Sequence, residues 1–180
     1  MESPPARPRN GKTGWVVRMT VSPKADFRQI IHTFDSIDIP PARVSGENIR
    51  FAILELVNNS LRPHRERNEA RDILVDLTVA DGRLSVAIRD FGGGFDPRRL
   101  PYDLEADPAG LDVHSRPFEE YQKANGYKRF GMGIFVAKKT FDRFHLQFLD
   151  DRDMPSPFVP ERIVGTLITL DLATEAAHEH

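Results

Sequence analysis

The chain has 180 residues, of which 39% are hydrophobic and 29% are charged, and its formal net charge is -2. This composition is typical of one globular domain and not of a disordered chain. The small net charge gives no reason to expect nucleic acid or an anionic membrane as a partner, and the lack of cysteine excludes disulfides, thiolate metal sites and a cysteine nucleophile.

The two ends of the chain are expected to be tails. Residues 1–14, MESPPARPRNGKTG, are polar and proline-rich. This composition predicts disorder, and the segment contains no apolar core of a signal peptide. Residues 173–180, ATEAAHEH, predict a frayed C-terminus. Every apolar run between them is far shorter than the ~18 residues of a membrane span. We therefore expect a cytoplasmic domain at 15–172 that does not enter a membrane.

The first elements in chain order are a strand and a helix. The β-branched run WVVRMTV at 15–21 predicts a strand. Ser22 and Pro23 predict the N-cap and the first residue of a helix. The apolar residues that follow recur at helical spacing and predict an amphipathic helix on a core: Phe27, Ile30, Ile31, Phe34 and Ile37.

A second helix and a hairpin follow. The helix is predicted from about Glu47 to Leu61, with Pro63 as the residue that ends it. Two strand patterns, DILVDLTVA and RLSVAIRD, flank Asp81 and Gly82. That dipeptide is typical of a two-residue β-hairpin turn.

A long irregular segment separates the hairpin from the last elements. From residue 91 to about 130 the chain is rich in Gly, Pro, Asp and Arg, with one short helical pattern in PFEEYQKAN. A segment of this length in a compact domain is typical of a functional lid. A helix in GMGIFVAKKTFDRF and strands at 144–150 and 162–172 complete the chain. This order predicts a two-layer α/β (α+β) sandwich, with a mixed, mostly antiparallel sheet and helices on one face.

The second helix carries a polar strip beside its apolar side. At ~100° per residue, Glu55, Asn58, Asn59 and Arg62 fall in one arc. A solvated strip is one interpretation. However, asparagine has a low helix propensity, and Glu55 and Asn59 project side by side because they are four residues apart. One carboxylate and one amide oxygen also suit a hard cation such as Mg²⁺.

The stretch IRDFGGGFD indicates a site for a flat base. Asp90 ends a strand and is followed by a glycine turn. A carboxylate at that point can accept a hydrogen bond from an exocyclic amine such as that of adenine. Gly92 and Gly94 would let the backbone approach the ring without an intervening Cβ.

Two further glycine motifs lie later in the chain. KRFGMGIFVAKK places Gly131 and Gly133 at a helix N-terminus, where free N–H groups and the helix dipole bind anions. Gly165 and Thr166 lie inside the last predicted strand, where glycine marks a close approach to the backbone. The chain contains neither a Walker A nor a Rossmann fingerprint.

Taken in order, E-x-x-x-N, D-x-G-x-G, G-x-G and G-T resemble the GHKL ATP-binding superfamily, which includes gyrase B, MutL and the catalytic domains of histidine kinases. The resemblance covers roughly residues 15–172. It implies the Bergerat ATP-binding fold with a long ATP lid at about 91–130, and ATP and Mg²⁺ as cofactors. Within the superfamily, KRFGMG is similar to bacterial anti-sigma serine/threonine kinases, whereas LELVNNSL is similar to the N box of sensor histidine kinases.

The resemblance also implies roles for the residues that match its motifs on the base and metal side. Asn59 would coordinate Mg²⁺, and Glu55 would orient or deprotonate the attacking hydroxyl, or only organise metal-bound water. Asp90 would accept the adenine amino group, with Thr166 supporting it through water. Gly92 and Gly94 would shape the base pocket.

On the phosphate side, the resemblance implies that Gly131, Met132 and Gly133 supply backbone N–H groups to the phosphates. Arg129 would stabilise charge on the transferred γ-phosphoryl group, although a surface arginine on the lid is an equal alternative. Arg62 occupies the position where many relatives carry a lysine near the phosphates, and a solvated helix end explains it as well.

Three functions remain open at this point. The first is an anti-sigma type serine/threonine kinase that binds a sigma factor or similar regulator and phosphorylates an antagonist protein. The second is a histidine-kinase-type catalytic domain that acts in trans on a separate phosphoacceptor protein. The third is an ATP-dependent partner-binding module with little catalysis.

The resemblance also implies a homodimer formed through the edge of the sheet, because relatives often dimerise there. The six histidines show no metal-ligand spacing, and we interpret them as ordinary core or surface residues.

Overall fold

The computed structural model describes residues 14–110, 112, 114–124 and 132–175. Two short 3₁₀ turns, Pro97–Arg99 and Pro108–Gly110, lie in the predicted lid. The helices and longer strands follow the predicted order, and the described elements are β1 (Trp15–Val21), α1 (Phe27–Asp35), α2 (Gly46–Arg67), β2 (Ile73–Ala80), β3 (Arg83–Asp90), α3 (Arg116–Ala124), α4 (Met132–Thr140), β4 (Arg143–Leu149), β5 (Pro155–Ser156) and β6 (Gly165–Ala173).

The strands form one sheet in the order β1-β2-β3-β6-β4-β5. Each of these pairings is antiparallel, so the described sheet contains no parallel pair where a mixed sheet was expected. Asp81 and Gly82 form the predicted hairpin turn, both with positive φ (51° and 70°). The β3–β6 register sets Asp90 opposite Thr166, which brings two of the sequence motifs together.

The predicted two-layer architecture, with helices on one face, is confirmed. Burial alternates along β2, β3 and β6, because successive side chains of a strand point to opposite faces. The buried face packs against the helices, and the core includes Ile53 and Leu56 of α2 and Ile134 of α4. The apolar side of α2 faces this core, since Ile53, Val57 and Leu61 are all buried.

The first helix begins later than predicted. Ser22 and Pro23 belong to a turn in which the Ala25 N–H donates to the Ser22 carbonyl (2.9 Å). The helix begins at Phe27 because Asp26 is its N-cap, with extended backbone and a side chain that accepts from the Arg28 N–H (2.9 Å). Aspartate and serine are similar N-caps, so the local signal for the two starts was nearly equal.

The second helix does not end at Pro63 as predicted. It continues to Arg67 and ends at Asn68, which has left-handed backbone (φ 54°). Proline removes one N–H donor and usually bends or breaks a helix. Here tertiary contacts hold the last turn, because His64 is fully buried and the Arg65 guanidinium donates to the Pro23 carbonyl (2.8 Å).

The described part of the predicted lid packs on the domain. Tyr102 stacks on Phe118 of α3 (6.1 Å between ring centroids), and Phe118 contacts Phe135 of α4 edge-on (6.4 Å). The Lys138 ammonium, also on α4, donates to the carbonyls of Leu104 and Ala106. Two stretches of the lid are therefore fastened to the helix that follows it.

The C-terminal part of the domain extends slightly past its predicted limit. The last strand begins at Gly165 rather than at residue 162 and reaches Ala173. Thr174 then pairs with Ala42, and the Glu175 N–H donates to the Pro41 carbonyl (2.8 Å). Residues 173–175 are thus held by the domain and not frayed. Of the two predicted tails, residues 1–13 and 176–180 lie outside the described residues. None of the described helices has the length and apolarity to cross a membrane.

Candidate functional site

Several residues singled out in the sequence line one cavity. The cavity has a volume of about 210 Å³ and lies between the second half of α2, the turn after β3, the start of α4 and the beginning of β6. Asn59, Arg62, Asp90, Gly94 and Thr166 all contribute to its lining. Three separate sequence motifs therefore converge on one space.

Asp90 is the buried carboxylate of this cavity. It is 6% exposed, and its carboxylate accepts hydrogen bonds from the Gly92 N–H (2.8 Å) and the Thr166 hydroxyl. The Ser60 hydroxyl lies 3.4 Å from Asp90 Oδ2. Burial raises the pKa of Asp90, and the hydrogen bonds from Thr166 and Gly92 offset part of that increase. The fold thus holds an acceptor group in a place where water has little access.

His64 supports the same region and was missed in the sequence. Its ring is fully buried, with Nδ1 2.8 Å from the Ser60 carbonyl and Nε2 accepting from the Phe91 N–H (3.2 Å). It is a core histidine, and it joins α2 to the residue that follows Asp90. The prediction that α2 ended at Pro63 left His64 as an isolated residue at a helix end, and that error concealed the contact.

The glycines after Asp90 serve backbone geometry and close packing. Gly94, which lines the cavity, has a φ of 67° that a residue with a Cβ rarely adopts. A Cβ on Gly92 would lie 2.8 Å from Cγ of Pro63, so the missing side chain makes room for α2. Gly92 therefore shapes the pocket through packing, and only Gly94 lines it directly.

Glu55 and Asn59 form the other end of the site. Both are half-buried and lie one turn apart on α2. Gly133 of α4 packs onto them, because a Cβ at Gly133 would lie 2.5 Å from Asn59 Nδ2 and 3.2 Å from Glu55 Cβ. Since α4 begins at Met132, its N-terminus lies close to Asn59, and the first N–H groups of a helix have no intrahelical partner.

The donor set fits Mg²⁺ held jointly with phosphates. One amide oxygen and one carboxylate beside a helix N-terminus supply too few ligands for an all-protein site. Mg²⁺ commonly takes one or two protein oxygens together with phosphate oxygens and water. Within the described residues, no three His, Cys, Asp or Glu side chains converge as a metal-binding group.

The remaining predicted residues have mixed outcomes. Arg62 lines the cavity, with Nε 3.8 Å from a Glu66 carboxylate oxygen. Met132 and Gly133 are the first residues of α4, and their predicted role in offering N–H groups to phosphates stays a prediction. Arg129 and Gly131 lie outside the described residues, and their roles stay predictions.

A comparison with known families identifies the same part of the chain. The sequence model described as "Histidine kinase-like ATPase domain" matches residues 23–153. That range includes Glu55, Asn59 and Asp90 and ends before Thr166. No curated protein matches the chain.

Proposed function

The chain belongs to the histidine kinase-like ATPase domain family, and we propose that it binds ATP with Mg²⁺ and transfers the γ-phosphoryl group to a Ser or Thr hydroxyl of a protein partner. The activity is of the anti-sigma kinase type, with a sigma factor or similar regulator as a second partner. The observation that carries the proposal is the buried Asp90 carboxylate, fixed by Thr166 and Gly92 in a cavity that Asn59 also lines.

Asp90 supports adenine as the base. Its carboxylate is an acceptor with little access to water, so it favours a ligand that presents an amine donor. Adenine presents its exocyclic amine, whereas guanine has a carbonyl oxygen at the same position and would leave two acceptors facing each other. An unpaired buried polar group is costly, and this cost excludes the wrong base more effectively than shape does.

The α2–α4 contact supports binding of phosphates and metal. Asn59 would hold Mg²⁺ together with phosphate oxygens, and the N-terminus of α4 would bind a phosphate through its N–H groups and dipole. The metal would neutralise charge that develops on the phosphates, since phosphoryl transfer depends mainly on positioning and electrostatics. Glu55 lies on the same face as Asn59, where it can accept a proton from an attacking hydroxyl.

Glu55 also favours a hydroxyl acceptor over an imidazole. Within the described residues its carboxylate has neither a hydrogen bond nor an ion pair, so it remains available to a substrate. A serine or threonine hydroxyl must lose its proton to attack, whereas a neutral imidazole attacks through a lone pair without a base. A histidine on a separate protein is the second candidate acceptor, because the matched family is described as histidine kinase-like.

Calorimetry of ATP binding, with and without Mg²⁺, tests the nucleotide site. In Asp90→Asn the side-chain amide oxygen still accepts the hydrogen bond from the Gly92 N–H. The amide –NH₂ group therefore points toward Thr166 and the cavity, where it presents a donor in place of an acceptor. Affinity for ATP should fall about 10- to 100-fold, as for loss of a hydrogen bond to a charged group. Asp171→Asn is the matched control, because Asp171 also accepts from a hydroxyl, that of Ser85 (2.6 Å), but does not line the cavity. Unaltered ATP binding by a folded Asp90→Asn protein would contradict the proposal, as would a wild type that binds no ATP.

The acceptor is identified with ATP labelled at the γ-phosphate. The protein is incubated with soluble extract of its source, and labelled proteins are treated with acid. Acid-stable label indicates Ser or Thr, whereas acid-labile label indicates histidine and favours the second candidate. ATP binding without any labelled acceptor would favour a partner-binding module with little catalysis.

A further inference from the structure

The last turn of α2 contacts the turn after β3 residue by residue. Pro63 packs on Gly92 and the Arg67 guanidinium lies over Gly93, while His64 accepts from the Phe91 N–H. We propose that His64 is a positioning residue of the nucleotide site, which sets the direction of the Asp90 carboxylate through the backbone of Phe91. This inference rests on the proposed function and adds to it a residue outside the four motifs.

The hydrogen bonds of His64 define one state of its ring. Because Nε2 accepts from the Phe91 N–H (3.2 Å), it carries no proton. The ring hydrogen is therefore on Nδ1, which donates it to the Ser60 carbonyl (2.8 Å). A single neutral tautomer satisfies both contacts, and a ring protonated at both nitrogens would set two N–H groups against each other at Phe91.

The two partners of His64 are both linked to Asp90. Phe91 follows Asp90 in the chain, so a hydrogen bond that holds the Phe91 N–H also holds the peptide group between the two residues. That peptide group adjoins Asp90 Cα, from which the carboxylate side chain extends. Ser60, whose carbonyl accepts from the ring, has its hydroxyl 3.4 Å from Asp90 Oδ2. His64 itself does not line the cavity. It therefore acts on the ligand through other residues and not by contact.

Two substitutions separate the two hydrogen bonds. The amide of His64→Asn occupies the place of Nδ1, so it can donate to Ser60 but cannot reach Phe91. The amide of His64→Gln reaches the place of Nε2 and can accept from Phe91. His145→Asn, at an exposed residue of β4, is the histidine control. For each protein we would measure the dissociation constant for ATP, the thermal unfolding temperature, and hydrogen exchange of the Phe91 amide without nucleotide.

We expect the Asn variant to bind ATP about tenfold more weakly, the loss that one hydrogen bond produces, and to exchange its Phe91 amide faster. The Gln variant should stay within about threefold of the wild type by the same measure, since it restores the acceptor. The inference is overturned if both variants are less stable but bind ATP like the wild type, because the ring would then be structural only. Equal loss of affinity in both would also overturn it, since ring volume and not the Phe91 bond would matter. A wild type with a protected Phe91 amide and no ATP binding would instead overturn the proposed function itself.

Discussion

The site contains two carboxylates in opposite situations. Asp90 is buried and has donors from Thr166 and Gly92. Glu55 is half-buried and, within the described residues, has neither a hydrogen bond nor an ion pair. At the end of the cavity proposed for the base (the base side, at Asp90) the carboxylate is thus hydrogen-bonded by the protein. At the end proposed for the phosphates (the phosphate side, at Glu55 and Asn59) the carboxylate has no partner among the described residues.

The difference has a simple physical cause. A buried carboxylate without partners costs several kcal/mol, so the fold can contain Asp90 only by hydrogen-bonding it. A partly exposed carboxylate is solvated and incurs little of this cost. Substitutions near Asp90 should therefore affect stability, and substitutions near Glu55 should affect metal binding or catalysis.

The largest expected effect is on catalysis. Glu55→Gln keeps the size of the side chain but removes the proposed base, so phosphotransfer to the acceptor should fall about 10²- to 10⁴-fold. ATP affinity and unfolding temperature should stay close to wild type, because among the described residues the carboxylate has no protein partner to lose. Transfer of labelled phosphate measures the phosphotransfer rate, and calorimetry measures ATP affinity. Full phosphotransfer with the Gln variant would leave Glu55 only a role in organising metal-bound water.

Substitutions on the base side should instead change the stability of the protein. A Cβ on Gly165 would overlap the carbonyl oxygen of Asp90, so Gly165→Ala must separate β6 from β3 at the site. The free energy of unfolding in urea should fall by about 3 kcal/mol, as for severe overpacking. Gly110→Ala is the control, because a Cβ there meets no atom of the described residues within 4 Å. Equal stability of the two variants would mean that the β3–β6 contact is not as close as described.

Gly133 tests the phosphate side without a large loss of stability. Alanine is favoured over glycine in a helix by about 1 kcal/mol, which offsets part of the contact with Glu55 and Asn59. Displacement of the Asn59 amide should reduce the Mg²⁺-dependent part of ATP affinity about tenfold. Calorimetry with and without Mg²⁺ measures this in Gly133→Ala, with Gly46→Ala in α2 as the matched control. An unchanged effect of Mg²⁺ would separate Asn59 from the metal.

A pH series gives the finest test of the buried carboxylate. Burial raises the pKa of Asp90, so as pH rises the unfolded chain loses this proton before the native protein does. Between the two pKa values the native state holds more protons, and stability falls with increasing pH. Urea unfolding of wild type and of Asp90→Asn between pH 4 and pH 8 gives the free energy of unfolding of each protein, and the difference between the two values isolates the contribution of Asp90. If the wild-type value rose relative to the variant value with increasing pH, the hydrogen bonds to Asp90 would lower its pKa more than burial raises it.

The sequence was informative where a pattern lies within one element. Alternation gave β2 and β3, helical spacing gave the inner side of α2, and the Asp81-Gly82 turn fixed the hairpin. The predicted start of α1 was wrong because Ser22 and Asp26 are both good N-caps. The end of α2 was wrong because a proline reduces helix stability locally, and packing of His64 and the Arg65 hydrogen bond to Pro23 overcame that local cost.

By itself, then, the sequence determined the order of the elements, the layered sheet-and-helix architecture, and the polar residues that mark the site, since these follow from burial and backbone preference along the chain. Only the tertiary structure decided which of them meet. The Thr166 hydroxyl reaches Asp90 across 76 residues, and the Phe91 N–H reaches His64 across 27. Such contacts depend on the register of β3 with β6 and on the packing of α2 against the turn, and no local periodicity encodes either one.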